Sequence, residues 1–314
     1  MQQSYDGEME CLVVDDCGTD DSIPIAKRMI ETYTGPIRFE ILHHEHNRGL
    51  SAARNTGTLQ AKGDYLYYLD SDDFITDDCI EKLMAVALDD PDIEMVQGKY
   101  SIYGKNKSYP IEQKHQLTHA KTNQEVRECF LFHNQFVISA WNKLIKRQFI
   151  LNHHILFKEG LVYEDVLWRF YLIKYINNVY FYSDITYYYN KRPGSIITET
   201  GKKTSAYHRC IIYKDILANL TPKYEREEFL WYAKDLSSIF IRYGYYYPAM
   251  KDVIFLYWKK AMQMKCFSIC LILSMGYVLG RFKYGWPIFK RLKNPTLIPR
   301  DIQRIWRQMR SKKA

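Results

Sequence analysis

Three carboxylates stand directly after an apolar, aromatic run in the segment GDYLYYLDSDD, and their spacing could hold a divalent cation. The run from Tyr65 to Leu69 has the length and composition of a buried β-strand, and Asp70, Asp72 and Asp73 follow it at once. Neighbouring carboxylates repel one another unless a cation lies among them, and their oxygens suit hard divalent ions that bridge to phosphate. A polar turn with a helix N-cap explains the same residues, since Asp and Ser favour both.

A second pair of acids, Asp15 and Asp16, ends the apolar run from Cys11 to Val14 in the same way. Between and beyond these runs, strand-like segments alternate with helix-like segments, which predicts a βαβ arrangement with parallel pairing. Ligands of open α/β sheets collect at the carboxyl ends of the strands. The two acidic clusters are therefore expected to face one crevice, which favours a metal and nucleotide site over two polar turns.

A third acidic pair, Glu164 and Asp165, falls in the first turn of a helix predicted within residues 158–175. Helix capping and the helix dipole explain an acidic pair there without any catalytic role. His43 and His44 are also close in sequence, but adjacent positions on a strand face opposite sides, so a shared ion between them is not favoured.

Hydrophobic periodicity places these residues on an α/β fold with a Rossmann-like, mostly parallel sheet flanked by helices. Strands are predicted at 11–14, 37–43, 63–69, 93–103 and 178–190. Helices are predicted at 20–33, after Gly49, and at 76–88, 122–132, 141–151 and within 158–175. Beyond Gly201 the pattern is helical, at 202–220, 223–243 and 248–265. We therefore divide the sequence into a catalytic domain at 1–200, a helical region at 201–265 and an apolar segment with a basic tail at 266–314.

Charge and cysteine content limit the partners and the compartment. The 314 residues carry a formal net charge of +8, but residues 281–314 hold eleven Lys or Arg against Asp301 alone, a net charge of +10. The seven cysteines form no CxxC pair, which is typical of free thiols in a reducing compartment. Because residues 1–10 are polar and do not resemble a secretory signal, we expect a cytoplasmic protein.

The longest apolar run, from Cys266 to Gly280, lies directly before the basic tail. It is shorter than the ~20 residues that a spanning helix needs. An apolar segment followed by many basic residues is typical of a peripheral contact with anionic lipid, here on the inner face of the cell membrane. A buried core helix followed by a solvated tail is the alternative. No recognition motif supports binding of nucleic acid.

The segments VVDDCGTDDS, HNRGLSAARNTG, YLYYLDSDD, WNKLI and YEDVLW, in this order and at these separations, resemble the family 2 glycosyltransferases of the GT-A fold. The resemblance covers roughly the first 200 residues and does not extend to the helical C-terminal region. It implies metal-dependent, inverting transfer of a sugar from a nucleotide diphosphate sugar, most often a UDP-sugar. The expected acceptor is a saccharide or a lipid-linked molecule in the synthesis of a surface polysaccharide or glycolipid.

The same resemblance implies the roles of the site residues. Asp165 matches the catalytic base, and Asp70 and Asp72 match the DxD pair that binds Mn²⁺ or Mg²⁺, with Asp72 the direct ligand. Asp16 matches the residue that binds the nucleoside, and Arg54 matches a cation near the donor. The full set expected to bind substrate is Asp15, Asp16, Arg54, Asp70 and Glu164.

Members of that family begin with an apolar strand, a short loop and a helix before the segment equivalent to MQQSYDGEMECLVVDD. The chain is therefore expected to lack one central strand and part of the nucleotide pocket. Two alternatives follow from the sequence. One is a non-catalytic transferase remnant, and the other is a sugar-phosphate nucleotidyltransferase, whose Gly-rich phosphate loop is not present in this sequence.

Overall fold

The computed structural model describes residues 1–104, 107–110, 117–131, 135–191 and 200–282. The chain divides into two units, residues 1–199 and residues 200–314. Strands and helices make up the described part of the first unit, whereas the described part of the second unit is helical. The basic tail predicted to contact lipid, from residue 283 onward, lies outside the described residues.

The first unit contains all the strands that the structure describes. They are β1 (Glu10–Asp15), β2 (Arg38–His43), β3 (Tyr65–Tyr67), β4 (Phe74–Ile75), β5 (Met95–Gly104), β6 (Lys107–Pro110), β7 (His119–Ala120), β8 (Lys143–Lys146) and β9 (Val179–Asn190). Its helices are α1 (Ser22–Glu31), α2 (Leu50–Gln60), α3 (Cys79–Asp89), α4 (Asn123–Leu131), α5 (Arg147–Asn152) and α6 (Glu164–Tyr175). The second unit contains α7 (Lys202–Ala218), a 3₁₀ turn (Pro222–Tyr224), α8 (Glu225–Tyr243), α9 (Met250–Gln263) and α10 (Phe267–Gly280).

Strands β1 and β2 form a two-stranded parallel sheet, in register from Glu10 opposite Arg38 to Asp15 opposite His43. The sequence predicted a buried strand here, but the residues of β1 are only half-buried. Among the described residues β1 pairs with β2 alone, and no residue of the neighbouring α1 is buried. Because a described strand pairs with β1 along one edge only, and α1 buries no residue, the apolar side chains of β1 stay partly exposed.

The larger sheet has seven strands, in the order β3-β8-β5-β9-β4, with β6 beside β5 and β7 beside β9. Strands β5 and β9 are parallel, whereas β8 runs antiparallel to both of its neighbours, β3 and β5. The predicted α/β class with flanking helices is confirmed, but the sheet is mixed rather than mostly parallel. The difference arises because β8, between β3 and β5, and the short strands β4, β6 and β7 all pair antiparallel with their neighbours.

The sequence predicted a helix from Trp141 to Leu151, and this prediction is wrong in its first half. Lys143–Lys146 is a strand, and the helix begins only at Arg147. Successive side chains of a strand face opposite sides of the sheet, and here Leu144 and Ile145 are both buried. A short strand buried on both faces lacks the alternation that distinguishes a strand from a helix.

One core of the first unit lies where α3 packs on the large sheet. Leu83 and Ala87 of α3 contact Val96 of β5 and Leu144 of β8, and all four side chains are buried. This packing holds the central strands β5 and β8, and β8 carries Lys143.

In the second unit, α10 packs closely against α8 through two glycines four residues apart, Gly276 and Gly280. A Cβ atom added at Gly280 would lie 2.5 Å from the carbonyl oxygen of Phe240 on α8. The absence of a side chain thus allows the two backbones to approach. No helix among the described residues combines the length and the apolar character needed to cross a membrane.

Replacing Gly280 by alanine is expected to lower the free energy of unfolding by roughly 1–3 kcal/mol, the usual cost of overpacking. The new methyl group would press on the Phe240 backbone, which cannot rotate away as a side chain can. Chemical denaturation measures the change. Gly201→Ala is the matched control, because no atom lies within 4 Å of a Cβ built there, and equal stability of the two variants would contradict the expectation.

Candidate active site

The centre of the site is a buried ion-pair cluster around Arg54, in the middle of α2. Its Nη1 atom donates hydrogen bonds to Glu164 Oε1 at 2.7 Å and to Asp165 Oδ1 at 2.9 Å. Its Nη2 atom donates to Asp70 Oδ1 at 2.8 Å. The side chain of Arg54 is only 7% exposed, so the three carboxylates neutralise a charge that bulk water scarcely reaches. One guanidinium joins the acids of two sequence segments.

Helix α2 is fixed in place by a pair of hydrogen bonds beside Arg54. Asn55 Nδ2 donates to the carbonyl oxygen of Phe157 at 2.8 Å, and the Phe157 N–H donates to Asn55 Oδ1 at 2.8 Å. The Phe157 ring lies 5.2 Å from the Arg54 guanidinium carbon and stacks on Trp168 of α6. These contacts bind α2 to the chain that leads into α6, so Arg54 meets the first turn of α6.

The first turn of α6 carries Glu164 and Asp165, and an unusual backbone conformation precedes it. Tyr163 has φ of 70°, in the left-handed region that residues with a Cβ seldom adopt. Buried Leu167 and Phe170 hold the helix against the interior. Capping was the simple explanation of this acidic pair, but the N-cap residue Tyr163 makes no side-chain cap, and both acids bind Arg54.

The cluster shifts the pKa values of its members. Burial alone would lower the pKa of Arg54, but the charges of Asp165, Asp70 and Glu164 raise it above its usual value. Burial raises the pKa of Glu164 and of Asp165, and Arg54 only partly offsets this. These two carboxyls therefore hold protons more readily than ordinary acidic side chains, as a group that accepts a proton during catalysis should.

The three acids that follow β3 lie together, as the sequence predicted. Asp70, Asp72 and Asp73 each offer a carboxylate oxygen within 4.8 Å of the others. Such a set of hard oxygen donors fits Mg²⁺ or Mn²⁺. The acids thus have the chemistry that the predicted metal site requires.

Asp73 differs from its two neighbours because strand β9 engages both of its oxygens. Tyr187 O–H donates to Asp73 Oδ2 at 2.5 Å, and the Asn190 N–H donates to Oδ1 at 2.7 Å. Burial raises the pKa of Asp73 to about 6, although these two hydrogen bonds oppose the shift. The Tyr187 ring stacks on Trp141, with 4.4 Å between ring centroids. Asp73 therefore anchors the acidic loop to the sheet, which leaves Asp70 and Asp72 as the candidate ligands.

Asp16 is bound into the turn that starts α2. Its Oδ1 accepts the Arg48 N–H at 2.8 Å, and its Oδ2 accepts the Gly49 N–H at 2.7 Å. His44 Nδ1 lies 2.6 Å from Oδ1, and His44 Nε2 lies 2.8 Å from Thr56 Oγ1. Partial burial would raise the pKa of Asp16, but the hydrogen bonds hold it below its usual value.

Asp15 has its own partners, because parallel pairing places His43 opposite it. The two side chains are 2.9 Å apart, and the Gly18 N–H donates to Asp15 Oδ1 at 3.2 Å. The hydrogen bond to His43 holds the pKa of Asp15 below its usual value. His43 and His44 thus contact different aspartates, Asp15 and Asp16.

Helix α2 links the two acidic clusters. Asp16 accepts the Gly49 N–H directly before the helix, and Arg54, five residues later, binds Asp70. Five residues of α-helix rise about 7.5 Å. The two clusters are thus joined through one helix, although β1 and β3 belong to different sheets, and the common crevice stays a prediction.

From the sequence, two explanations of Lys143 were equally good, a border of the acceptor site and the start of a surface helix, and the helix is wrong. Lys143 is completely buried on β8, and its Nζ donates to the Ser139 carbonyl oxygen. Burial lowers the pKa of Lys143 to about 7, while the charge of Asp165 acts in the opposite direction. A buried strand carrying a lysine is a signal for a functional site, but the wrong helix prediction concealed it.

The family model and the relatives that match this chain all describe glycosyltransferases. The model of glycosyl transferase family 2 matches residues 1–152. The cholesterol galactosyltransferase of Borreliella burgdorferi is 26% identical over 95% of this chain and 84% of its own. The putative glycosyltransferase EpsH of Bacillus subtilis is 28% identical over 62% of this chain. The chain spans only 56% of the length of EpsH.

Solved structures show the fold. The structure of Staphylococcus aureus TarS 1-349 in complex with UDP superposes with a TM-score of 0.59 at 20% identity, over 78% of this chain and 67% of that one. The mannosyltransferase PcManGT from Pyrobaculum calidifontis, in complex with GDP-Man and Mn²⁺, gives a TM-score of 0.52 at 13% identity, over 90% of this chain and 75% of that one. The predicted GT-A-like architecture, a sheet flanked by helices, is confirmed.

Proposed function

From the match of residues 1–152 to the model of glycosyl transferase family 2, we propose that the chain is a metal-dependent, inverting transferase of that family that uses a UDP-sugar. The observation that carries the proposal is the Arg54 cluster, which holds Asp70 of the acidic loop and Asp165 of α6 on one guanidinium. A group for the leaving diphosphate and a group for the attacking hydroxyl are thus tied to the same side chain. Residues 1–200 form the catalytic domain in this proposal.

Asp165 is the proposed catalytic base. It takes the proton of the acceptor hydroxyl as that oxygen attacks the anomeric carbon from the face opposite the diphosphate. Its burial raises its pKa and so strengthens it as a base, while Arg54 keeps its charged form stable. Glu164 is a proposed contact to the substrate, and the same Nη1 atom of Arg54 that binds Asp165 also binds it.

Asp72 and Asp70 are the proposed ligands of Mn²⁺ or Mg²⁺, with Asp72 the direct one. An ion held by these two carboxylates would supply Lewis-acid stabilisation of the departing diphosphate. Asp73 holds the loop in position through Tyr187 and Asn190. A mannosyltransferase of similar fold is described with Mn²⁺, which supports the choice of metal.

Asp15 and Asp16 are the proposed contacts to the nucleoside of the donor. Both lie at the carboxyl end of β1, where ligands of α/β sheets collect. Asp16 also accepts two backbone N–H groups in the turn before α2, so it stabilises that turn in addition to its proposed role in binding. The similar fold of TarS, described with UDP, supports a uridine nucleotide.

The proposed acceptor is a saccharide or a lipid-linked molecule used in the synthesis of a surface polysaccharide or glycolipid. The name of the relative from Borreliella burgdorferi, a cholesterol galactosyltransferase, supports a lipid acceptor. A lipid acceptor would be met at the inner face of the cell membrane. The apolar α10 and the basic residues 281–314 support this peripheral location.

Metal-dependent release of UDP from a nucleotide sugar tests the proposal. The purified chain is incubated with a panel of nucleotide sugars, with and without Mn²⁺, and UDP is quantified. We expect Asp72→Asn to lower the rate of UDP release by at least ~100-fold, because the bound ion would lower the activation barrier by several kcal/mol. Binding of Mn²⁺, measured by calorimetry, should weaken in parallel.

Asp64→Asn is the matched control, since Asp64 is an exposed acid at the other end of the same segment. It should keep the wild-type release and the wild-type affinity for Mn²⁺. Failure of the wild-type chain to bind any donor would favour the non-catalytic remnant instead.

A further inference from the structure

Helix α10 presents a row of large apolar side chains to the solvent. Leu271 is 71% exposed, and the residues at the same helical spacing are exposed as well. The row consists of Phe267, Leu271, Met275, Val278 and, just past the end of the helix, Phe282. At 100° per residue these positions fall within an arc of about 80°, so they form one continuous face, which we call the α10 face.

The opposite side of α10 is firmly packed. Ile269 and Leu273 are buried there, and Gly276 and Gly280 bring the helix close to α8. Helix α10 is therefore packed into the second unit, and the α10 face is exposed although the helix itself is held in place. Soluble proteins rarely expose a contiguous apolar patch of this kind unless it meets a partner.

Helix α9 extends the patch with aromatic and basic residues. The ring of Phe255 lies 5.2 Å from that of Tyr277, which joins α9 to α10. Trp258 and Lys259 are also exposed on α9. Aromatic rings combined with lysines are the composition found where a protein meets the boundary between headgroups and acyl chains.

We propose that the α10 face, together with Phe255 and Trp258, is the surface by which this protein lies on an anionic phospholipid membrane. Charge complementarity identifies the occupant, because Arg281 begins a stretch with a net charge of +10 directly after the apolar helix. Basic residues next to an inserted apolar face attract anionic headgroups. The inference deepens the peripheral location given in the proposed function.

The dimensions of α10 fit a helix lying in the membrane plane. Its 14 residues span about 21 Å, less than the ~30 Å hydrocarbon core. A face of apolar side chains backed by a packed protein unit would enter only the outer ~5–10 Å of the bilayer. The helix thus serves as a shallow contact that leaves the unit outside the membrane.

Co-sedimentation with vesicles tests the inference. The full chain is mixed with vesicles of phosphatidylcholine alone or with added phosphatidylglycerol, and the bound fraction is measured. We expect binding to the anionic vesicles, weakened by high salt, and a loss of at least ~10-fold in affinity for the double variant Leu271→Ser, Met275→Ser, since two inserted apolar side chains are removed.

Leu88→Ser is the matched control, because Leu88 is 60% exposed on α3 of the other unit and should not affect vesicle binding. Both variants replace exposed side chains, so both should fold. Release of UDP from the donor, assayed without vesicles, should be unchanged in the double variant. A failure of UDP release would contradict the proposed function, whereas a failure of vesicle binding would contradict only the membrane contact, so the two failures can be told apart.

Three outcomes would overturn the inference. The first is equal vesicle binding by the wild type and the double variant. The second is a wild-type dimer in analytical ultracentrifugation that the double variant converts to a monomer, which would make the α10 face a contact between copies. The third is a wild-type chain that binds no vesicle until residues 283–314 are removed, which would mean that the chain's own tail covers the face.

Discussion

Asp165→Asn is expected to lower the rate of sugar transfer by about 100- to 10,000-fold, the usual contribution of a general base. The amide keeps the size of the carboxylate and can still accept the hydrogen bond from Arg54 Nη1, but it cannot take the proton of the acceptor hydroxyl. The loss should therefore appear in kcat, while the affinity for the nucleotide sugar changes little. Steady-state kinetics with a saturating donor, together with calorimetric binding of UDP, separate the two effects.

The same residue should set the pH dependence of the wild-type enzyme. A base is inactive when protonated, so activity should rise as the pH rises through the pKa of Asp165. Burial raises that pKa above its usual value, and the acid limb of kcat/KM should therefore lie above pH ~4, the ordinary Asp value.

Asp184→Asn is the control for the base, since Asp184 is an exposed aspartate on β9. It should leave both kcat and the acid limb unchanged. A loss in kcat of less than 10-fold in Asp165→Asn would remove Asp165 from the role of base.

Arg54→Met is expected to destabilise the protein by about 3–5 kcal/mol near neutral pH, the cost of removing one partner from a buried ion pair. Methionine fills much of the volume of the arginine stem, so the main effect is electrostatic. Asp70, Glu164 and Asp165 would lose their shared cation while still held close together. Chemical denaturation of the variant and the wild type measures the difference.

The loss should depend on pH in a defined direction. Without Arg54, the folded-state pKa values of Glu164 and Asp165 rise further above their unfolded values, so the folded variant binds more protons. The unfolding free energy of the variant must then fall as the pH rises above ~4. We expect a small difference from the wild type at pH 5 and a large one at pH 8.

Arg38→Met provides the control for the arginine. Arg38 pairs with Glu10 at 2.8 Å, but its side chain is 63% exposed, and exposed pairs contribute at most about 1 kcal/mol. Similar losses in the two variants, or an Arg54→Met loss that does not depend on pH, would show that Arg54 does not hold the three acids together.

Much of the candidate site was readable from local sequence. The apolar run before Asp70 predicted a strand that ends in acids, and the run before Asp15 predicted another. The helix containing Glu164 and Asp165 was also predicted, because its apolar residues repeat with helical spacing. Each of these signals lies within one element, where neighbouring residues define periodicity.

The features that the sequence did not reveal depend on residues far apart in the chain. Arg54 binds Glu164 across 110 positions, and nothing near Arg54 indicates that its partners are acids rather than the donor phosphate. Lys143 fell within the helix predicted at 141–151, because a four-residue strand covered on both faces has no alternation to detect.

The sequence by itself determined the α/β class, the acidic segments and the order in which they occur. Only the tertiary structure decided that β8 makes the sheet mixed, that Asp73 anchors its loop to β9, and that Arg54 joins the acids of the DSDD and YED segments. The physical reason is that periodicity and turn propensity act between neighbours in sequence. Strand order and buried ion pairs are instead set by the packing of elements distant in sequence, which a local pattern does not contain.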